Sequence, residues 1–138
     1  MGLGPWIRFG GAGLSGIALV LLGMVHRDLG KAFSTGLEVK SSGSLITSGV
    51  YRWVRHPMYT VYVLLMVGGG LLTNHGGFLL FSVSIILSLM VLRVPYEEAM
   101  LAREFGDQWV EYAEVTGRFT PFKSLGKYVG AWLSNEEG

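Results

Sequence analysis

The sequence predicts an all-α integral membrane protein: about three transmembrane helices and a cytoplasmic helical C-terminal tail. Three observations predict it. Half of the residues are hydrophobic and only 15% are charged, against about a quarter in an average soluble domain. Three apolar runs reach the roughly 17–25 residues that a helix needs to cross a bilayer, the second at the low limit. The cations gather at one side of those runs. With 138 residues, the chain is read as a single membrane domain, 1–138.

The first run, PWIRFGGAGLSGIALVLLGMV, spans 5–25. Its one charge, Arg8, lies near the outer end, where its stem can snorkel. The run lacks a charged leader and a clean small-residue cleavage site, so it is read as a mature membrane segment. The second, PMYTVYVLLMVGGGLLT, spans 57–73 and carries no charge. The third, GGFLLFSVSIILSLMVLRV, spans 76–94 and carries Arg93 near its end. The competing reading, a set of buried core helices, leaves too little polar surface to cover three such runs. Gly10, Gly11, Gly13 and Gly16 crowd the first run, and Gly68, Gly69 and Gly70 interrupt the second. Small residues allow close helix approach in lipid; a kinked or weak helix end is the other reading of the Gly68–Gly70 stretch.

Orientation follows from the cations. Of 11 lysines and arginines, Arg8 alone precedes the core of the first span. Arg27, Lys31, Lys40, Arg52 and Arg55 follow it, and the part from Arg93 onward carries Arg93, Arg103, Arg118, Lys123 and Lys127. The positive-inside rule then sets the N-terminus outside and puts the loop 26–56 and the tail 95–138 in the cytoplasm. In the loop, GLEVKSSGSLITSGVY reads as irregular chain with at most a short extended piece. In the tail, Pro95 is expected in the first turn of a helix. Tyr96, Met100 and Leu101, then Phe105, Trp109 and Tyr112, recur at helical spacing. Gly106 is expected to break that helix and Gly117 with Pro121 to end it. GKYVGAWLS is mildly amphipathic and is expected on the membrane surface.

Whole function classes are excluded. A net charge of +1 and no basic run argue against nucleic acid. No cysteine means no disulfide and no thiolate chemistry. His26 and His75 have no ligand companion at helical spacing, so no metal site is expected. His75, in Asn74-His75-Gly76, reads as a turn residue.

The chemistry-bearing stretch is GVYRWVRHPMY, 49–59. Pro57 can start a helix because its missing N–H would be unpaired there, and it biases His56 toward extended backbone. Arg52, Arg55 and His56 therefore sit on a loop at the mouth of the second span, with Tyr59 and Tyr62 on its first turns. Taken singly, these are ordinary membrane anchors: arginines at headgroups and aromatics in the interfacial belt. Taken together with Glu97, Glu98 and Arg103, just past the third span, they form an ionisable cluster of the kind that marks a functional site.

LITSGVYRWVRHPMY and EEAMLAREFGDQWVEYAEVTGRFTP together resemble the isoprenylcysteine carboxyl methyltransferase family and its phospholipid methyltransferase relatives. Those membrane enzymes carry Arg-His-Pro-x-Tyr, a Glu-Glu pair and a Phe-Gly. The resemblance covers about 44–122. It implies an S-adenosylmethionine pocket formed by Tyr51, Arg55, His56, Pro57 and Tyr59, with Glu98 or Glu97 at the cofactor or substrate end. It implies catalytic roles for Glu97, Glu98 and Arg103, with Arg118 a further candidate for orienting a polar group. Its substrate would be a lipophilic, prenylated or lipid molecule entering from the bilayer. Three departures stand out: Val61 where members often have Gly, Trp109 where they often have Tyr, and three spans where they commonly have four or five. A second copy of the chain could complete a wall, so a homodimer is an open expectation.

Methyl transfer from a sulfonium needs the acceptor held in line at roughly 3–3.5 Å. A carboxylate acceptor needs no base; an amine would need Glu97, Glu98 or His56 to take its proton. Tyr59, Tyr62 or Trp53 could stack on adenine or meet the cation. Two other readings remain at this point. Membrane sterol reductases carry a similar Arg-His-Pro-x-Tyr stretch and use NADPH. A non-catalytic module that only packs against a partner is the other.

Overall fold

The computed structural model describes residues 4–34 and 44–136, so part of the expected irregular loop, 35–43 with Lys40, lies outside the described residues. Five α-helices follow one another: α1, Pro5–Ser34; α2, Pro57–Thr73; α3, Gly76–Phe105; α4, Asp107–Val115; and α5, Phe122–Glu136. A 3-10 turn, Gly49–Arg52, precedes α2. No strand forms among the described residues; one parallel bridge pairs Val54 with Gly117.

Two expectations about boundaries differ from what is seen. The α1 helix runs on to Ser34 rather than ending at 25, so 26–34 of the expected loop is helical. Polarity marks where a span leaves the apolar layer, but it does not stop backbone hydrogen bonding. Likewise α3 passes straight through Pro95 to Phe105. Proline removes one ladder bond, and a long helix already nucleated on both sides can absorb that. The break comes at Gly106, whose φ of 53° suits a residue without a Cβ. Tyr96 and Met100 are exposed and do not share the packed face of Trp109 and Tyr112.

Contacts divide the chain into two units, Met1–His26 with Met58–Tyr96 and Arg27–Pro57 with Glu97–Gly138. In the first unit, α1 and α3 are long and apolar enough to cross a membrane, and α2, at 17 residues, is a shorter apolar helix. Their surfaces are apolar and uncovered: Leu80 is 71% exposed and Val91 73%. So large a contiguous apolar surface is matched by lipid rather than by water.

What holds this unit is close approach at small residues. A Cβ added at Gly11 would meet the α2 backbone at Leu72 N and Gly68 O, and one at Gly68 would meet Ser15. A Cβ at Gly70 would meet Leu79 of α3. The α2 helix stays continuous through all three glycines, so packing is the reading that holds. Ala18, Val25, Val61 and Val94 are buried; Val61 therefore serves the packing. Arg8 Nε donates to the Leu72 carbonyl at 3.2 Å, placing a cation at the C-terminal end of α2 where the helix dipole favours it. His75 Nδ1 accepts the Phe78 N–H at 3.2 Å, which makes it the turn residue expected between α2 and α3.

Gly11→Val and Gly68→Val should each destabilise the protein by about 1–3 kcal/mol through overpacking, read as a shift in detergent unfolding. Gly13→Ala, where an added Cβ meets nothing, should leave stability unchanged or slightly raised.

Candidate functional site

The second unit is tied together by polar contacts. Asp28 Oδ2, near the end of α1, accepts the Val50 N–H at 3.1 Å. Gly49 lies against the same carboxylate with φ of 63°, where a side chain would collide. This pins the 3-10 turn. Beyond it, Arg55 N donates to Gly117 O at 2.8 Å and His56 N to Arg118 O at 3.0 Å. Residues 54–56 thus run alongside 117–118 in the extended backbone that Pro57 favours for its predecessor.

Glu98 is the hub. Its side chain is 11% exposed. Arg118 grips it with a two-pronged fork, Nε to Oε2 at 3.0 Å and Nη2 to Oε2 at 2.6 Å, with Nε also 3.1 Å from Oε1. Arg55 Nη2 lies 3.3 Å from Oε1, and His56 Nε2 lies 3.2 Å from the same oxygen. A buried carboxylate is tolerated when several donors replace its water. Glu97, the other acid of the pair, is 32% exposed, with Oε2 3.7 Å from His56 Nδ1.

His56 is 7% exposed. Burial holds its pKa below 6.5, and the Glu98 hydrogen bond and charge only partly oppose that. Neutral imidazole has one N–H, and with that proton on Nε2 it donates to Glu98. Arg55 is the other inward cation. Its Nη1 donates to Ala113 O at 3.3 Å, and its guanidinium lies 5.6 Å from the Trp109 ring centre. Its Nε is buried without a hydrogen-bond partner.

Arg55 borders a cavity of about 310 Å³ in this unit, whose walls include Tyr51, Leu101, Glu104, Phe105, Trp109 and Tyr112. Tyr112 donates to the Tyr51 carbonyl at 2.6 Å. Burial pushes the Tyr112 phenol well above its ordinary value, which keeps that proton in place. Tyr51 is raised too, first by burial and then by Asp28.

The structure therefore brings Arg55, His56, Glu97 and Glu98 together and puts Tyr51 on the cavity wall. Pro57 is buried at the start of α2. Tyr59 belongs to the first unit. Arg103 is exposed on the last turn of α3. Arg118, a lesser candidate from sequence, turns out to be the main partner of Glu98. Asp28 was not foreseen, and Trp109 and Tyr112 were read as one helix face and not as cavity walls; their spacing of three after a glycine break was the available signal.

The model of the isoprenylcysteine carboxyl methyltransferase family matches residues 12–103. Protein-S-isoprenylcysteine O-methyltransferase B of Arabidopsis thaliana is 31% identical to this chain over 115 residues, 78% of this chain and 58% of its own length. A probable protein-S-isoprenylcysteine O-methyltransferase of Oryza sativa subsp. indica is 32% identical, covering 78% of this chain and 60% of its own. The Saccharomyces cerevisiae protein-S-isoprenylcysteine O-methyltransferase is 31% identical over 120 residues, 78% of this chain and 48% of its own. The chain thus spans less than two thirds of the length of these relatives.

Glu98→Ala should cost about 3–5 kcal/mol, because it strands two buried partners, whereas Glu97→Gln should cost under about 1 kcal/mol; thermal unfolding in detergent reads both. The unfolded chain protonates His56 near 6.5, and the folded chain does so only at lower pH. The folded state then binds fewer protons in that interval, so this contribution is complete above 6.5 and is lost as pH falls toward the folded value. His56→Gln should flatten that part of the stability–pH curve.

Proposed function

Because the chain belongs to the isoprenylcysteine carboxyl methyltransferase family, we propose that it is a membrane S-adenosylmethionine-dependent methyltransferase. Its acceptor is the carboxylate of a lipophilic molecule, of the isoprenylated-cysteine class named for its relatives. The N-terminus faces outside, and the polar unit and C-terminus face the cytoplasm, as the cation distribution favours. The observation that carries the reading is the Arg55 guanidinium, fixed by Glu98 and Ala113, with its Nε buried and unpaired beside an aromatic-walled cavity.

The residues present fit the cofactor. A volume of about 310 Å³ is at the lower end of the roughly 300–1,000 Å³ typical of ligand pockets. Tyr51, Phe105, Trp109 and Tyr112 offer flat faces for a purine. Glu104 suits ribose hydroxyls or an ammonium group. The Arg55 guanidinium suits a carboxylate. S-adenosylmethionine bound there supplies an activated methyl group and departs as a neutral thioether.

The protein's own part is binding, orientation and charge. An acceptor carboxylate is already ionised, so no proton has to be removed. That agrees with a neutral His56 committed to Glu98, and with a Glu98 whose oxygens are taken by arginine and histidine donors. Glu98 acts as a positioning residue for Arg55 and His56. The more accessible Glu97 and Arg103 are assigned to the acceptor, Arg103 as the cation that steers its carboxylate. Keeping the carboxylates of Glu97 and Glu98 beside His56 and arginines restrains them from competing as methyl acceptors.

Calorimetry with the folded protein in detergent tests this. S-adenosylhomocysteine should bind with Kd in the range of about 1 μM to 1 mM and NADPH should not. Arg55→Lys should weaken that binding about tenfold or more, since an ammonium cannot reproduce the fork and the Nε–H together. Arg103→Ala should lower turnover without changing S-adenosylhomocysteine binding. Absence of S-adenosylhomocysteine binding to folded protein, or preferential binding of NADPH, contradicts the proposal.

A further inference from the structure

Tyr112 also lines a second cavity. This one is about 320 Å³ and is lined by Thr47, Ser48, Arg52, Thr116, Ser124, Lys127 and Tyr128 among others. Its lining differs in kind from the first. Two cations and several hydroxyl residues line it, and no acidic residue does among the described residues. Neither Arg52 nor Lys127 makes an ion pair among the described residues. Unneutralised cations with hydroxyl donors around one hollow make a receptor for a phosphate-like anion.

The wall that carries Lys127 and Tyr128 is α5. One side of this helix is anchored: Ser124, 1% exposed, donates to the Trp53 carbonyl at 2.9 Å, and Tyr128 packs on Trp53 with ring centres 5.4 Å apart. Beginning beside Tyr128, with Leu125 and Trp132 three and four residues away, an apolar face continues through Phe122, Val129 and Leu133, all exposed, with Trp132 at 59%. An anchored helix with such a face, in a protein that already lies in a bilayer, has the form of an interfacial helix. Phosphate chemistry and apolar chemistry then meet on one element, and one molecule class carries both.

We propose that this cavity binds the phosphate of an anionic phospholipid, with Arg52 and Lys127 on the headgroup and the apolar side of α5 against the acyl chains. Juxtamembrane cations attract anionic lipid at close range, and aromatic residues such as Trp132 and Tyr128 suit the headgroup level. The site is separate from the cofactor reading and does not depend on it.

Native mass spectrometry of the full chain, released from micelles containing equal phosphatidylglycerol and phosphatidylcholine, tests it. The wild type should retain phosphatidylglycerol in about tenfold preference, and Arg52→Gln with Lys127→Gln should abolish the preference while leaving the protein folded. Leu125→Ser with Trp132→Ser should reduce retention of both lipids. Equal retention of the two lipids by the wild type overturns the proposal, as does a preference that survives loss of both cations. Displacement of the lipid by inorganic phosphate assigns the site to a soluble anion and overturns the lipid assignment. Displacement by S-adenosylhomocysteine assigns the hollow to the cofactor and overturns it as well.

Discussion

The polar unit depends on a carboxylate that water barely reaches. Glu98 would be costly to bury alone, and the chain answers with three donors from two distant stretches: Arg55 and His56 from before α2, and Arg118 from after α4. Each donor belongs to a backbone that is also paired, since Arg55 and His56 donate their amides to Gly117 and Arg118. One acid therefore fixes two segments against α3 and against each other. It leaves Arg55 with its guanidinium over Trp109 and its Nε buried without a partner, on a residue that borders the cavity. An arginine held on several sides is a preorganised donor, and preorganisation is what a binding site requires of its cations.

The membrane unit solves a different problem. Its helices cannot gain from the hydrophobic effect against one another in lipid, so they rely on fit. Gly11 against Gly68, and Gly70 against Leu79, let backbones meet where any side chain would intrude. The charged end of Arg8 is used at the α2 C-terminus rather than left in the apolar layer. Family membership and these apolar helices give the same answer about the solvent: this is a membrane protein, and the proposed acceptor shares that solvent. A carboxylate acceptor also explains why a buried histidine can stay neutral and still belong to the motif. In the proposed reaction it holds Glu98, and no proton needs a base.

Much of this was legible in the residues. The starts of α2 and α3 fall at Pro57 and Gly76, where apolar runs meet proline or glycine. The break at Gly106 follows from glycine in a helical pattern. The meeting of the Arg-His-Pro stretch with Glu98 could be expected because the cation distribution assigned both to span ends on the same side. Other features were hidden for physical reasons. Periodicity reports which face a residue occupies and not what crosses that face, so Arg118 as the Glu98 fork and Asp28 as the anchor of the 3-10 turn had no local signature. Charge marks the edge of an apolar run but not the end of a helix, which is why α1 passes 25. Proline lowers helix stability without forbidding it, which is why α3 passes Pro95. Trp109 and Tyr112 looked like packing because their spacing is that of any buried helix face, and only the cavity beside Arg55 gives them a further use.

The most direct test of the account is the arginine side-chain Nε–H resonance of Arg55, followed by NMR in the detergent-solubilised protein as S-adenosylhomocysteine is added. The account predicts that the resonance shifts and its exchange with water slows in step with saturation, and that Glu98→Gln blunts both changes. If ligand saturates the protein, as reported by backbone amides, while the Arg55 resonance stays where it was, the guanidinium is only a structural tie and the site lies elsewhere.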